Sequence, residues 1–511
     1  MSLSPIKQYS WHSAALISCA LAHAILTFVL ALTRLYTYKT SLLDIGTFDQ
    51  VFWNILHHRA PITTATVPFT PQHWFGFHFS PILFLIVPFY ALWPHIELLQ
   101  LVQSLCFSMT GIGVFYTLKY AGANPREAWI GTLLYWLNPF VLSAAIWDFH
   151  EIAFAAPLII LSLWALFAKR FTTFVPALLL LLLTKEHYGL SVAGFGALWA
   201  IRHHDWRRGA AIIGLGITTL IALLFVVMPA LHQGTHAMLI AGDTATSRYA
   251  WLGMPWATKF STVFYLLFER GNNNNPGSIY ILLLGMSGLM LPVLSMLTLL
   301  PAIADLAANL LAADALQRSI VSYHTAAIIP VIIIAAYQGF CRFTIMPMRR
   351  KDLYLCAMLS LAIIIPLAGT TDVLMQWDIT GIKLHKDDTP INAISTLLPA
   401  GGLSVQSNVG AFFSQREAVY PFPHKITESS SVILYLANPF SKPLEDNFGI
   451  AFNGSARDQF AYVRQFMHET GWHVEYWQAP WLLMVRGPSI ANETKLRQDI
   501  LAHLDALEKA H

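Results

Sequence analysis

Leu43-Asp44-Ile45-Gly46-Thr47-Phe48-Asp49-Gln50-Val51-Phe52-Trp53-Asn54 follows closely on an apolar run at 13–33, and that junction decides how the rest of the chain is read. The upstream run contains no Lys, Arg, Asp or Glu and is long enough to cross a hydrocarbon core, which takes about 20 residues. The stretch after it sets two carboxylates, five residues apart, among aromatic side chains where the chain leaves the bilayer. Composition agrees. Of 511 residues, 56% are hydrophobic and 12% charged, with a mean hydropathy of +0.53, whereas soluble domains carry about 25% charged residues. A soluble enzyme and a disordered chain are both excluded. A net charge of +3 gives no argument for nucleic acid, whose binders cluster basic residues. Cys19, Cys106, Cys341 and Cys356 lie in or beside apolar runs without CxxC spacing, so neither a disulfide framework nor a structural zinc site is expected.

Working outward, further apolar runs occupy 96–118, 128–146, 152–168, 209–229, 279–311, 324–341 and 353–370. Two shorter runs, 171–183 and 188–201, meet at Thr184-Lys185-Glu186-His187-Tyr188 between basic outer flanks and read as a hairpin of short helices. The 279–311 run suffices for two crossings broken near Pro292 or Pro301. Lys and Arg mark cytoplasmic loops, here Lys119 with Arg126, Lys169 with Arg170, Arg202 with Arg207 and Arg208, and Arg342 with Arg349, Arg350 and Lys351. The expected fold is therefore a polytopic α-helical membrane protein of about eleven spans. It would sit in the cell membrane with a cytoplasmic amino terminus and an uncleaved first span. The 35–80 loop, residues 147–151, the Lys185 tip and the 230–277 loop then share the external face.

Composition changes near residue 372, which divides a membrane domain (1–371) from an extracytoplasmic α/β domain (372–511). Periodicity predicts a helix over 390–398, strands at 403–407 and 431–436, and a helix from a Ser455 cap to a Gly471 stop. Strands at 473–478 and 481–486 and a polar helix over 488–509 complete it.

Charged groups at membrane depth are costly and mark function by default. Asp44 and Asp49 are candidates for a general base or for orienting a divalent ion such as Mg or Mn; helix capping is the competing reading. His78 follows in the same loop. Asp148, His150 and Glu151 form a second cluster, with structural pairing as the alternative. Lys185 can hold a phosphate as a point charge while Glu186 neutralises it, or the two can lock the hairpin. Arg248, Tyr323 and His324 are further donors on the same side, with interfacial anchoring as the alternative for Tyr323. No Walker loop, GxGxxG or GxSxG appears.

The run Asp44 to Asn54, then His78-Phe79-Ser80-Pro81, Asp148-Phe149-His150-Glu151, Thr184-Lys185-Glu186 and Tyr323-His324 ahead of Pro330 resembles the membrane family called domain of unknown function 2079. That family is similar to C-type glycosyltransferases. The resemblance implies such a fold, a polyprenyl-phosphate-linked sugar as donor, an external acceptor, and no nucleic acid. Asp49, with Asp44 as competitor, would match the first-loop acid that deprotonates the acceptor, and Lys185 would bind the donor phosphate. His78 would help shape the pocket, and Asp148, His150 and Glu151 would close it. No DxD pair is present, so the resemblance implies no fixed metal. Two other functional classes stay open, a transporter or flippase and a non-catalytic relative whose external domain binds a partner. The carboxyl domain is expected to present or select the acceptor. Deleting residues after 375 would then alter acceptor choice while donor binding survives.

Overall fold

The computed structural model describes residues 5–232, 249, 251, 254–268, 277–343, 364, 367–371, 373–375, 378–438 and 456–510. The chain is mostly helical, with a small mixed sheet near its carboxyl end. Four described helices are long and apolar enough to cross a membrane: His12–Tyr36, Ile96–Tyr120, Trp206–Leu231 and Leu291–Leu311. The run expected as one crossing at 128–146 is two helices, Pro125–Trp136 and Pro139–Ile146, bent by 49°. Pro139 has no N–H to continue the first helix, and the Asn138 side chain caps the second by accepting from the Phe140 amide. The 152–168 and 324–341 runs and both arms of the expected hairpin are shorter apolar helices, and 353–370 lies largely outside the described residues. The 279–311 run breaks where Leu289 and Met290 adopt left-handed φ values of 55° and 59°, just before Pro292.

The hairpin arms, Phe171–Leu182 and Tyr188–His203, present the Lys185 tip between them. The second arm is fixed by glycines. Gly189 and Gly196 face Gly216 and Gly209 of the next helix so closely that a Cβ at Gly216 would sit 2.3 Å from the Gly189 carbonyl oxygen. Small residues thus let two backbones touch where lipid gives no hydrophobic drive.

The carboxyl sheet runs in the order β4-β3-β5-β7-β6, with β3 (Gly402–Val405), β4 (Val419–Pro421), β5 (Ser429–Tyr435), β6 (Trp472–Gln478) and β7 (Trp481–Arg486). β3 pairs parallel with β4 and β5, while β7 pairs antiparallel with β5 and β6. One face packs Val432, Leu434, Leu482 and Met484 on helices 456–466 and 493–510. The other face shares its core with the first loop, and Tyr38, Leu42 and Ala65 lie among Leu403, Val405, Ile433 and Trp481. The Tyr38 ring stands 4.6 Å from Tyr435 and 5.4 Å from Trp481, measured between centroids.

A two-residue hairpin, β1 (Ile62–Thr63) with β2 (Gln72–His73), completes the loop's own structure. Beside it the loop covers the sheet edge. Thr64 Oγ accepts from the Val419 amide at 2.9 Å and donates to the Val419 carbonyl at 2.8 Å, occupying ladder groups that an exposed edge strand would leave unpaired. Gln50 holds this arrangement, donating to the Thr64 hydroxyl and the Arg416 carbonyl, both at 3.0 Å. Its oxygen accepts from the Thr64 amide at 2.9 Å.

Candidate active site

Asp44 lies in the turn Leu42–Gly46, which ends where the helix Thr47–Leu56 begins. Five residues at about 100° each separate the two acids by roughly 140° around a helical path, and they meet different neighbours. Asp44 Oδ1 lies 3.4 Å from His150 Nε2 and its side chain is 26% exposed. The His150 ring stacks on Tyr323 at 3.6 Å with planes 19° apart, and Tyr323 stacks on His324 at 4.1 Å. His150 Nδ1 lies 2.9 Å from the Asp148 carbonyl. A carbonyl only accepts, so Nδ1 carries a proton. Nε2 is then the ring nitrogen that faces the Asp44 carboxyl.

Residues 147–151 are held from beneath. Asp148 pairs with Arg34 at 3.1 Å, both buried, and accepts from the Ser41 amide at 2.7 Å. Arg34 also donates to the Ile146 and Lys39 carbonyls at 2.6 and 2.8 Å. Gln103 accepts from the His150 amide at 3.0 Å and donates to the Trp147 carbonyl at 2.8 Å. Asp148 therefore anchors the loop that presents His150. The Glu151 carboxylate takes the Lys185 ammonium at 2.7 Å. Burial works against charge on both, yet each holds the other ionised, Glu151 below the usual carboxylate range and Lys185 above the usual lysine range. Glu151 Oε2 is buried without a hydrogen bond among the described residues. On the other side of the tip, Glu186 accepts from the Phe79 amide at 3.1 Å and lies 3.2 Å from His78 Nδ1. His187 meets Asp305 at 2.7 Å.

Segments around residues 34, 44, 78, 150, 185 and 323 thus converge on one contiguous polar region. Nine of the expected site residues, Asp44, His78, Asp148, His150, Glu151, Lys185, Glu186, Tyr323 and His324, lie in it. Arg248 lies outside the described residues. Asp49 is elsewhere. Its carboxylate is 1% exposed and accepts from Tyr90 Oη, from Ser414 Oγ at 2.6 Å and from Gln415 Nε2 at 3.4 Å. Burial pushes its pKa up to about 6 against the pull of those three donors. Arg34, Gln103 and Asp305 were not expected from the sequence, although a polar group inside an apolar run is the signal that finds such residues. Among the described residues no three His, Cys, Asp or Glu side chains converge as a metal set. Asp44 and His150 alone are too few donors for a divalent ion.

A family model described as Predicted membrane protein (DUF2079) matches residues 34–483. The chain belongs to that family. No curated protein matches this DUF2079 chain in sequence. Among solved structures it is similar to ArnT from Cupriavidus metallidurans bound to undecaprenyl phosphate, with a TM-score of 0.54 at 12% identity over 92% of this chain and 97% of that one. The apo state of ArnT gives a TM-score of 0.48 at 11% identity over 92% and 98%. The first match shows the fold, that of the C-type glycosyltransferases, and the DUF2079 chain carries it with its small sheet domain in the carboxyl part.

Proposed function

We propose that this protein transfers a glycosyl group from a polyprenyl-phosphate-linked donor to an acceptor hydroxyl at the face that carries the sheet domain. That face would be extracytoplasmic, with a cytoplasmic amino terminus and the helices in the cell membrane. One observation carries the reading: Asp44, a partly exposed carboxylate beside a stacked imidazole, stands in the same polar region that holds the Lys185 ammonium. The undecaprenyl phosphate bound to ArnT supports the donor class. In the proposed reaction Asp44 takes the acceptor proton, the acceptor oxygen bonds to the sugar C1, and the bond from C1 to the phosphate oxygen breaks. Lys185 then meets the charge that develops on the leaving polyprenyl phosphate, with Glu151 as its counter-ion while no donor is bound. Glu151 Oε2 would accept from a donor hydroxyl. Inversion needs one base, so a second catalytic carboxylate is not required.

Mass spectrometry of lipid-linked sugars and envelope glycans tests this in cells carrying wild type, a deletion, Asp44→Asn or Asp49→Asn. The expected result is that deletion and Asp44→Asn lose one glycan and accumulate a polyprenyl-phosphate sugar while Asp49→Asn resembles wild type. An Asp44→Asn strain with a normal profile would remove Asp44 from the chemistry and move transport ahead.

A further inference from the structure

A cavity away from the Asp44 region lies in the seam between the helical body and the sheet domain. It measures about 370 Å³, within the range of small-molecule sites. Four separate stretches wall it: Asp49 on helix Thr47–Leu56, the start of helix Ile96–Tyr120 with His95 and Glu97, helix Asp388–Leu397 with Lys386 ahead of it, and the 411–416 segment. Two of its charged side chains carry buried atoms that nothing satisfies. Arg416 Nη1 has no hydrogen-bond partner among the described residues, and neither has Glu97 Oε2, which lies 4.0 Å from His95 Nδ1 while Oε1 accepts from Tyr36 Oη at 3.1 Å. Neighbouring acids do not satisfy Arg416, because Glu417 pairs outward with Arg59 at 2.5 Å and Asp49 is occupied by Tyr90, Ser414 and Gln415. Lys386 is held by the half-exposed Asp388 at 3.2 Å, a surface pairing of little strength. The Arg416 and Glu97 side chains both line the cavity, and a buried polar atom left without a partner costs stability.

We propose that this cavity binds a hydroxylated molecule carrying a phosphate or carboxylate, the anion on Arg416 and Lys386 and a hydroxyl on Glu97. Phe412 and Phe413 line the same cavity and give the apolar side of a sugar ring a surface to rest on. Arg416 offers a planar pair of donors matched to phosphate or carboxylate oxygens, and Lys386 adds a point charge. The inference rests on the transferase reading only in naming the occupant's role, as the anionic part of the acceptor; the binding stands or falls by itself.

The test uses the full chain in nanodiscs of neutral lipid and measures binding of glucose 6-phosphate, glucose and inorganic phosphate by calorimetry. Glucose 6-phosphate should bind best, and Arg416→Gln should weaken it by about tenfold or more, the value of a charge-assisted hydrogen bond. Arg416→Lys should keep part of the affinity, and an unchanged melting temperature in both variants separates a lost contact from a lost fold. Asp44→Asn should bind glucose 6-phosphate like wild type, so transfer can fail while this site holds. Nanodiscs with anionic lipid separate the sources: competition there makes the occupant a lipid headgroup, and its absence makes it a soluble or polymer-borne group. No binding of any probe by wild type, or equal binding by Arg416→Gln, overturns the proposal.

Discussion

Asp44 and Asp49 are the same residue type on one short stretch, yet they occupy opposite environments. Asp49 is enclosed and saturated by three donors, two of them from the sheet domain, so it ties the two halves of the molecule together. Asp44 keeps a quarter of its surface open and has one close polar neighbour, the His150 imidazole at 3.4 Å. A carboxylate already filled with hydrogen bonds has no lone pair in the right place for an incoming hydroxyl, and one that is reachable and singly paired does. In the proposed reaction it is the number of committed donors, not acidity or position in sequence, that favours Asp44 over Asp49 as the base.

The sharpest way to break this contrast is to exchange each acid for its amide. Asp44→Asn should lower transfer by about 10²- to 10⁴-fold, the usual contribution of a general base, with normal folding, while Asp49→Asn should stay within about tenfold. Asparagine is tolerated at 49 because Ser414 can turn its proton to the Ala411 carbonyl, 2.8 Å away, and accept from the new amide. Equal losses in the two variants would end the distinction. Next in size is the support beneath the Asp44 region. Arg34→Gln strands the Asp148 carboxylate, and breaking a buried pair costs roughly 3–5 kcal/mol, so the melting temperature in detergent should fall steeply; an unchanged value would show that the pair is not what holds residues 147–151.

Asp49→Leu is the corresponding test on the other side. It leaves the Tyr90, Ser414 and Gln415 donors without their acceptor, at about 1–3 kcal/mol, and should raise protease cleavage at the seam while sparing the helical body. Cleavage unchanged from wild type would contradict the tie. The smallest effect is pH dependence. Asp49 has a folded pKa of about 6 against an ordinary 3.8, so its contribution is fully present below about 3.8 and is lost as pH rises through about 6. Protection factors at the amides around Ser414, which take out the intrinsic pH dependence of exchange, should fall across that window in wild type and stay level in Asp49→Asn.

The membrane class, the hairpin around Lys185 and most carboxyl elements were legible because each depends on local periodicity or run length. Helix 388–397 and strands 429–435, 472–478 and 481–486 fall within a few residues of their expected positions. β4 was not legible: it is three residues ending in Pro421, kept extended by partners on β3 and on Thr64. The grouping of His78, Glu151, Lys185 and Tyr323 was legible as residue types, but their partners were not. Nothing local states that Glu186 turns to His78 while Lys185 turns to Glu151, since those choices are made by helices packed far apart in sequence. The same holds for Asp49, whose donors Ser414 and Gln415 lie more than 360 residues away. The expectation that donor binding survives removal of the carboxyl domain does not fit a first loop whose core is completed by that domain.

That shared core also orders events in time. Ser41 touches Ser407 across 366 residues of chain, so the loop bearing Asp44 emerges early in synthesis and waits for its walls until the strands between Leu403 and Leu483 have been made. Contacts of such sequence separation form late. A ribosome that stops before those strands are made therefore releases a membrane-inserted chain whose first loop is unfinished.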